Sequence, residues 1–422
     1  MTSTELTERP VEQSPVPRRP FHRRTDYLVS ALIVIVTLVI GLALWRVSDA
    51  RSTVDQTTTE TLPLASPLTT VPTGFAEAWR AASTATPVPV LAGAAVVTGD
   101  GHEVAGHEAL TGRVVWRYSR NLDLCTVGLG WGDAIAIYRK KDTCSEVTQL
   151  AGDTGRRGPQ RNGDSEVGTQ LLSDGTFVAT TGQKLIEVWR SPMIRTQQYG
   201  TLRALINPNR MPRPDCRFRS QALGSGRVAV IERCKGDDSD RLTQLKSDPS
   251  DGEKPEELFS AVLGQQNARV VATNQDRAAA LLPGGRLQVF KAGEQPVTHQ
   301  LTITANEQVP IAEDTTVGPV DAEGRPGTVY WHIGGKTIAL DGTDFHPLWT
   351  ADNTAGTGVL YAGKFLIPTA GGLRVVDQRT GVAEREISIV REGYTGPIVL
   401  RTNGSELFEQ RGSTVVALKP KV

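Results

Sequence analysis

The sequence predicts an all-β protein, an eight-bladed β-propeller that follows a single transmembrane helix. First, residues 27–45 form an uncharged apolar run near the N-terminus. Second, from Phe75 onwards short apolar runs alternate with glycine-containing turns, which is typical of β-strands. Third, segments with similar endings recur about every 44 residues, which is the length of a four-stranded propeller blade.

The composition argues against two functional classes. The 422 residues include 46 Lys and Arg against 46 Asp and Glu, and the mean hydropathy is -0.24. A nucleic-acid-binding protein usually carries a basic surface, and a multi-pass transporter is far more apolar. We therefore expect neither, and the 42 Gly and 25 Pro favour many tight turns over long helices.

The N-terminal region predicts a membrane anchor. Residues 1–26 lack apolar periodicity, so we expect a disordered tail. Residues 27–45 are uncharged, and at about 1.5 Å per residue they span roughly 28 Å, the thickness of a bilayer core. The arginines just before this run are Arg18, Arg19, Arg23 and Arg24. The positive-inside rule therefore predicts a single-pass protein of the inner (plasma) membrane, with a cytoplasmic N-terminus and a periplasmic, or extracytoplasmic, C-terminal domain.

A cleaved signal peptide is the alternative interpretation of residues 27–45. Its apolar region is usually about 7–15 residues long and ends at a small-residue cleavage site. The run here is longer, and Arg46-Val-Ser-Asp follows it. We expect residues 46–73, which are rich in Thr and Ser, to be an extended linker. The outer domain then comprises residues 74–422.

The blade count rests on one recurring outer strand. This strand contains Trp79, Trp116 and Trp349, and weaker counterparts end near Gln160, Tyr199, Phe259, His299 and Ile387. From Trp79 to Ile387 seven intervals cover 308 residues, an average of 44. Three strands remain after Ile387, and residues 75–81 are expected to add the missing outer strand and close the ring. The count is eight blades, with seven as the alternative.

The turns before these outer strands resemble a known repeat. Asp100-Gly101 is followed by Glu108-Ala-Leu-Thr-Gly-Arg-Val-Val-Trp116, and residues 336–341 and 373–381 are similar. This pattern resembles the repeat of PQQ-like, quinoprotein-type β-propellers, whose blades end in Ala-Leu-Asp-x-x-Thr-Gly-x-x-x-Trp. The resemblance covers most of residues 75–422 as architecture and implies the propeller fold.

The four cysteines predict two disulfides. Cys125 and Cys144 are 19 residues apart, Cys216 and Cys234 are 18 apart, and each pair brackets two predicted strands. If the first cysteine opens an inner strand and the second closes the next, the two lie side by side in a hairpin. We therefore predict Cys125–Cys144 and Cys216–Cys234, each stabilising the fold by about 3 kcal/mol. A zinc site is the alternative, but no Cys-x-x-Cys or paired His accompanies them.

Catalytic motifs are not recognisable in the sequence. Enzymes of the quinoprotein family are longer and typically have an adjacent cysteine pair, with carboxylates and Asn that hold Ca²⁺ against the cofactor. This sequence has no adjacent cysteine pair. We expect no enzymatic activity, no cofactor and no metal. His102 and His107 should lie on opposite faces of a strand, as solvated residues rather than metal ligands.

Candidate contacts with a partner come from one turn and one connection between blades. Trp131, in Gly130-Trp-Gly132, is the best candidate for an exposed aromatic contact, whereas Trp79, Trp116 and Trp349 should pack between blades. The longest connections are residues 200–215 and 302–318. The first mixes apolar and cationic side chains, and its candidate contacts are Leu202, Arg203, Arg210, Met211 and Arg213. An ordinary Pro-rich connection is the alternative.

The overall layout is similar to that of a group of actinobacterial membrane-anchored proteins, and within it to the mycobacterial polar growth factor family. The resemblance implies an inner-membrane exporter of trehalose monomycolate as partner, that or a related glycolipid as ligand, and a role in polar cell-wall growth. We therefore predict a non-catalytic, membrane-tethered scaffold of cell-envelope biogenesis. The alternatives are a glycolipid- or sugar-binding sensor module and, third, a degenerate quinoprotein-type enzyme.

Overall fold

The computed structural model describes residues 24–203, 210–303 and 310–421, and the chain divides after Thr53 into two units. Residues 1–23 of the expected tail lie outside the described residues. The first unit contains α1 (Arg24–Val47) and the short α2 (Asp49–Ser52). Within the described part of the chain, one helix, over Arg24–Arg46, is long and apolar enough to cross a membrane. It contains the expected span at residues 27–45, and a signal sequence meets the same criterion.

The second unit has a mostly antiparallel architecture of 33 strands in eight sheets among its described residues. The first two strands are β1 (Val54–Gln56) and β2 (Gly74–Ala82). Blades one and two contain β3 (Val90–Ala92), β4 (Ala95–Asp100), β5 (Glu103–Glu108), β6 (Val114–Ser119), β7 (Leu124–Gly130), β8 (Asp133–Lys140), β9 (Thr143–Leu150) and β10 (Arg157–Ser165). Blades three and four contain β11 (Leu171–Ser173), β12 (Phe177–Thr180), β13 (Leu185–Arg190), β14 (Ile194–Gly200), β15 (Arg217–Gly224), β16 (Arg227–Arg233), β17 (Arg241–Lys246) and β18 (Glu257–Val262).

The remaining four blades repeat this arrangement. Blades five and six contain β19 (Arg269–Thr273), β20 (Arg277–Leu282), β21 (Arg286–Lys291), β22 (Val297–Gln300), β23 (Thr315–Val317), β24 (Val329–Ile333), β25 (Lys336–Leu340) and β26 (Pro347–Asp352). Blades seven and eight contain β27 (Val359–Tyr361), β28 (Lys364–Thr369), β29 (Gly372–Val376), β30 (Ala383–Ser388), β31 (Ile398–Asn403), β32 (Glu406–Arg411) and β33 (Thr414–Lys421).

Strand β2 closes the ring of blades. It pairs antiparallel with β33, from Gly74 opposite Lys421 to Ala82 opposite Thr414, so blade eight has the order β2-β33-β32-β31. The eight-bladed count and the closing role of residues 75–81 are therefore confirmed, and the seven-bladed alternative is wrong. Pairing the first strand with the last leaves blade eight complete.

The hydrophobic core lies between neighbouring blades. The described residues form eight apolar clusters, and each cluster joins two adjacent blades. Strands in the middle of a blade are buried on both faces, as in Ala134–Tyr138 of β8, where five successive side chains are inaccessible. Such strands consist of continuous apolar runs because both faces of the sheet are covered.

Outer-strand tryptophans dock onto the following blade. Trp116 of blade one donates its Nε1–H to the Gly152 carbonyl of blade two, at 2.7 Å, and its ring covers Gly155. Trp79 and Trp349 make the equivalent contacts one blade further on, to the Ala109 and Gln378 carbonyls. The expected packing of these three tryptophans between blades is confirmed.

The expected linker needs a correction from Val54 onwards. Strand β1 pairs with β6 and becomes a fifth strand of blade one, with Val54 opposite Ser119. Beyond it, Glu60 forms an ion pair with Arg113 at 2.7 Å, and Leu62 is buried. The outer edge of a blade offers unpaired main-chain groups, and β1 satisfies them. Residues 54–73, hereafter the strap, therefore belong to the propeller.

The propeller has two distinct faces. The connector face carries the connections between blades and the turns between the second and third strands of each blade. The hairpin face carries the turns between the first and second strands and between the third and fourth strands. After β1, the strap runs along the hairpin face, because it contacts Thr154, Arg113 and the start of β30, where Arg385 donates to the Val71 and Pro72 carbonyls.

Candidate functional site

A well occupies the centre of the ring. Its volume is about 1300 Å³, and first strands of blades one to six and eight line it. Its lining reaches the first turns of several blades, at Asp174, Ser225 and Gln275, so the well extends to the hairpin face. Small-molecule pockets usually measure about 300–1,000 Å³, so this well is larger than such a site needs.

A segment that enters the channel lines the bottom of the well. We call residues 311–314 the crossbar. At one end the Gln221 N–H of blade four donates to the Ile311 carbonyl at 2.7 Å, and Ala312 forms a parallel bridge with Gln221. At the other end Asp314 forms an ion pair with Arg401 of blade eight at 3.1 Å. Thr315, the next residue, begins β23 of blade six, so the crossbar runs from blade four past blade five to blade six, and the Arg401 side chain reaches it from blade eight.

A buried ion pair anchors the crossbar. Glu313 lies 3.2 Å from Arg269 of blade five, and both side chains are only 6% exposed. Trp331 of blade six donates its Nε1–H to Glu313 at 3.1 Å. Charges removed from water need such partners, because an unpaired buried charge is strongly destabilising. The C-terminal end of the predicted connection at residues 302–318 therefore enters the channel, and residues 304–309 lie outside the described residues.

The wall of the well is mainly apolar. The side chains that carry this character are Leu91, Leu129, Leu172, Leu223, Val317 and Val399. Leu129 is 40% exposed and Val317 is 61% exposed. Polar neighbours are already engaged: the Asn274 amide donates to the Gly342 and Thr343 carbonyls and accepts the Arg277 N–H. The wall therefore presents apolar surface, because the Asn274 amide is hydrogen-bonded to groups in the adjacent turns.

The hairpin face is also the more apolar of the two faces. Outside α1, thirteen large apolar side chains among the described residues are exposed. Nine lie on the hairpin face, and they are Leu64, Leu68, Leu129, Ile194, Val297, Val317, Val320, Leu348 and Val382. Three lie on the connector face, and they are Val167, Val262 and Val390. The thirteenth, Val54, lies in β1 at the outer edge of blade one. Clusters of exposed apolar side chains mark interaction surfaces, so the hairpin face is the candidate interface.

The two disulfides form as predicted. Cys125 is bonded to Cys144, and Cys216 to Cys234. One detail is wrong: Cys144 lies in β9, the third strand of blade two, instead of closing the second strand. In blade four the cysteines flank β15 and β16 as expected. Bulges in the pairing of β7 with β8 and of β8 with β9 accompany the bridge in blade two.

Three of the expected partner contacts instead hold blades together. Trp131 is half-buried and donates its Nε1–H to the Thr176 carbonyl of blade three at 2.9 Å. Leu202 and Met211 pack into the cluster between blades three and four, where Met211 is 8% exposed. An apolar side chain in a connection gains stability by entering the adjacent core, and the sequence does not show which core is adjacent.

Arg213 also points inward. It forms an ion pair with the buried Glu232 at 2.7 Å and hydrogen-bonds the Tyr199 hydroxyl at 3.0 Å. Burial, together with Glu232, raises the pKa of Tyr199 well above its usual value. Of the remaining candidates, Arg210 is exposed and paired with Asp251, and Arg203 is exposed. Arg213 thus neutralises Glu232, because a buried carboxylate needs a counter-charge.

The histidines of blade one have different environments. His107 is buried, with Nε2 2.9 Å from the Thr98 hydroxyl and Nδ1 3.0 Å from the Gly112 carbonyl, and its ring stacks on Trp79. Burial lowers the pKa of His107. The expectation of a solvated residue is therefore wrong for His107, because its strand face is covered by blade eight, whereas His102 is exposed beside Asp123.

One group in the described residues has metal-ligand character. Asp341, Asp344 and His346 place their ligand atoms within 4.8 Å of one another. However, Asp341 accepts the N–H groups of Thr343 and Asp344, and Asp377 does the same for the corresponding turn of blade seven. These hydrogen bonds form the turn that precedes each outer strand, so a structural role explains Asp341.

The crossbar and the well were not evident from the sequence. No periodic pattern in the sequence singles out Ala312, Glu313 and Asp314. Nothing in the sequence distinguishes Leu129 and Leu223 from other apolar strand residues. The apolar pair in Val317-Gly-Pro-Val320 was a usable signal, because apolar side chains in a turn-rich segment are either buried or functional.

Comparisons with known proteins define the fold. No family model and no curated protein matches this chain. The structure of BamB from Moraxella catarrhalis is similar with a TM-score of 0.50 and 12% identity, covering 82% of this chain and 99% of that one. The quinohemoprotein alcohol dehydrogenase ADHIIG from Pseudomonas putida HK5 is similar with a TM-score of 0.50 and 10% identity, covering 84% and 78%.

A third structure, Sqt1 from Saccharomyces cerevisiae, has a TM-score of 0.49 and 9% identity over 85% of this chain and all of that one. The first two likenesses support the β-propeller fold. At these identities they establish the fold alone, so the likeness to a dehydrogenase carries no catalytic assignment.

Proposed function

We propose that this chain is a non-catalytic scaffold that is tethered to the membrane by α1 and binds its partner through the hairpin face. The observation that carries the proposal is the uneven distribution of exposed apolar side chains, nine on the hairpin face against three on the connector face. The well opens on the same face, and its wall is apolar. Exposed apolar side chains concentrated on one face are typical of a surface that binds a partner, which favours a binding function over a catalytic one.

In this proposal the propeller lies outside the cytoplasm. Two disulfides require an oxidising compartment, which supports export of residues 54–422. The arginines before α1 favour a cytoplasmic N-terminus and an inner-membrane, single-pass topology. The layout's resemblance supports an inner-membrane exporter of trehalose monomycolate as the partner and cell-envelope growth at the poles as the process.

A second candidate function is capture of a glycolipid by the propeller. The apolar wall and the volume of about 1300 Å³ favour it, because acyl chains bind to apolar surface. The first candidate is preferred because the apolar side chains continue beyond the well across the hairpin face, which a ligand held inside the well would not need.

The test is copurification of the full chain from native membranes in mild detergent. The variant Val317→Glu/Val320→Glu places two charges on the hairpin face, and Val262→Glu/Val390→Glu does the same on the connector face. All four valines are exposed by at least 60%. We expect the first variant to lose the partner at least tenfold and the second to retain it. Equal retention by both variants, or loss from the connector-face variant alone, would overturn the proposal.

A further inference from the structure

The crossbar shows that the channel edge of blade four accepts an extended segment. Strand β15 is an end strand of its sheet, so its second edge faces the channel. Gln221 donates to the Ile311 carbonyl from that edge, and the bridge to Ala312 is parallel. Pairing with an extended segment is therefore a property of this edge that the chain itself already uses.

The same edge continues from the crossbar towards the hairpin face. In an antiparallel pair, alternate residues direct their main-chain groups to the partner strand, and the others direct them away. Gln221 directs its N–H away from β16, and the register is unbroken to Leu223 opposite Val228. Leu223 therefore directs its main-chain groups into the well, above the crossbar.

A second wall offers the same chemistry. The Val127 N–H of β7 donates to the Ala85 carbonyl, outside its own sheet, and the register continues without a bulge to Leu129 opposite Ala134. The main-chain groups of Leu129 therefore also face the well. Two edges, in blades two and four, thus combine main-chain donors and acceptors with the leucine side chains that line the well.

The apolar side chains and the main-chain groups of the well together determine which kind of ligand it can bind. A charged ligand would need counter-charges, but Arg401 is paired with Asp314, and the Asn274 amide is held by Gly342 and Thr343. An acyl chain contacts the leucines but offers no hydrogen-bond donors or acceptors to the main-chain edge. An extended polypeptide satisfies both, because every second residue of a strand can pair with the edge while its side chains contact the wall.

We propose that the well binds an extended, mostly apolar segment of the partner polypeptide, which pairs in parallel with β15 at Leu223, above the crossbar. This inference rests on the proposed scaffold function and specifies how the partner is held. The crossbar provides the lower end of the site, since Ala312 already occupies the edge at Gln221.

The first test is photocrosslinking in the full chain in its native membrane. The photoreactive residue p-benzoylphenylalanine replaces Leu223 or Leu129 in the well, or Val262 or Val390 on the connector face, and crosslinked products are identified by mass spectrometry. We expect one defined polypeptide segment to crosslink at both well positions and not at the two connector-face positions. A lipid or glycan adduct at the well positions, or equal polypeptide crosslinking at all four positions, would overturn the inference.

The second test distinguishes main-chain pairing from apolar contact. The crosslinked segment is synthesised, and its binding to the full chain in detergent is measured by fluorescence anisotropy. N-methylation of every second amide should weaken binding at least tenfold, and N-methylation of the intervening amides less than twofold. Leu223→Pro removes the edge N–H at a position where an end strand tolerates proline, and Leu223→Ala keeps it. Equal effects of both peptide series, or of both variants, would contradict pairing.

The two proposals fail in different ways. If Val317→Glu/Val320→Glu loses the partner while the well positions crosslink no polypeptide, the scaffold function is retained and the inference about the well is wrong. If no partner copurifies and no segment crosslinks, both are wrong.

Discussion

At the scale of the residue, glycines of the repeat are explained by the tryptophan of the preceding blade. Gly112, Gly155 and Gly381 have φ values between 70° and 75°, and a Cβ at each would lie within 2.6 Å of Trp79, Trp116 and Trp349, respectively. The recurring Thr-Gly and Trp of the sequence are therefore two halves of one contact between blades. They were recognisable because the contact repeats along the chain.

Substitution of Gly155 tests this contact. Gly155→Ala forces a side chain into the left-handed region, which costs about 1–2 kcal/mol, and crowds Trp116, which adds about 1–3 kcal/mol. Gly101 also has a positive φ, 57°, but nothing lies within 4 Å of its Cβ position. We expect Gly155→Ala to lower the free energy of unfolding by about 2–5 kcal/mol and Gly101→Ala by about 1–2 kcal/mol, measured by urea denaturation and circular dichroism. Equal losses would show that the tryptophan contact is immaterial.

His107 makes stability depend on pH. Its pKa is lowered from 6.5 because burial disfavours the charged imidazolium. Below about pH 6.5 the unfolded chain therefore takes up a proton that folded His107 refuses, so the free energy of unfolding falls as the pH is lowered towards the folded pKa. His107→Gln should flatten this slope. Denaturant titrations from pH 7.5 to 5 measure it, and an unchanged slope in His107→Gln would contradict the assignment.

The environments of His107, Met211 and Arg213 illustrate what the sequence could not supply. Each of these residue types is also common at exposed positions, and whether the side chain is buried depends on which neighbouring blade covers it. Met211 enters the core between blades three and four, and Arg213 pairs with Glu232, a residue of another strand. Periodicity identifies the faces of a strand, but it does not identify the side chains that approach from the adjacent sheet.

At the scale of the element, the strap and the crossbar lie outside the blade repeat, but both pair with strands that belong to it. Strand β1 pairs with the outer edge of blade one, and Ala312 pairs with the inner edge of blade four. Both segments use the free edges that a ring of blades leaves on its outside and inside. The sequence predicted the edges, because it predicted the blades, but no pattern in residues 54–56 or 311–314 identified the segments that cover them.

The buried pair of Arg269 and Glu313 should hold the crossbar in place. Glu313→Gln leaves the Arg269 charge buried without its partner, which we expect to cost about 3–5 kcal/mol. Replacing both residues, as Arg269→Met/Glu313→Leu, removes the uncompensated charge and should recover most of this loss. Thermal and urea denaturation of the full chain measure the three proteins. A double variant as unstable as Glu313→Gln would show that packing, not charge, dominates at the crossbar.

At the scale of the whole molecule, the propeller is a ring of eight similar interfaces, closed by a strand that is remote in sequence. Each of the eight core clusters joins two blades, so an open ring would expose two apolar blade faces. A period of 44 residues and one unpaired strand before blade one were enough to predict this closure. Repetition is the reason for that success, since each blade provides an independent observation of the same unit.

The closing strand can be tested by moving it. Replacing residues 74–82 by nine residues of Gly and Ser removes the outer strand of blade eight but keeps a connection long enough to span it, at about 3.3 Å per residue. The unfolding transition should then shift to a lower denaturant concentration and lose cooperativity. Because Gly74 lies opposite Lys421, a copy of residues 74–82 attached directly after Lys421 through Asn-Gly, in place of Val422, forms a two-residue hairpin in the native register. This addition should restore the transition, whereas a scrambled copy should not. If the Gly and Ser replacement alone unfolds like the original chain, blade eight does not depend on β2, and the ring is held by the contacts between blades without its closing strand.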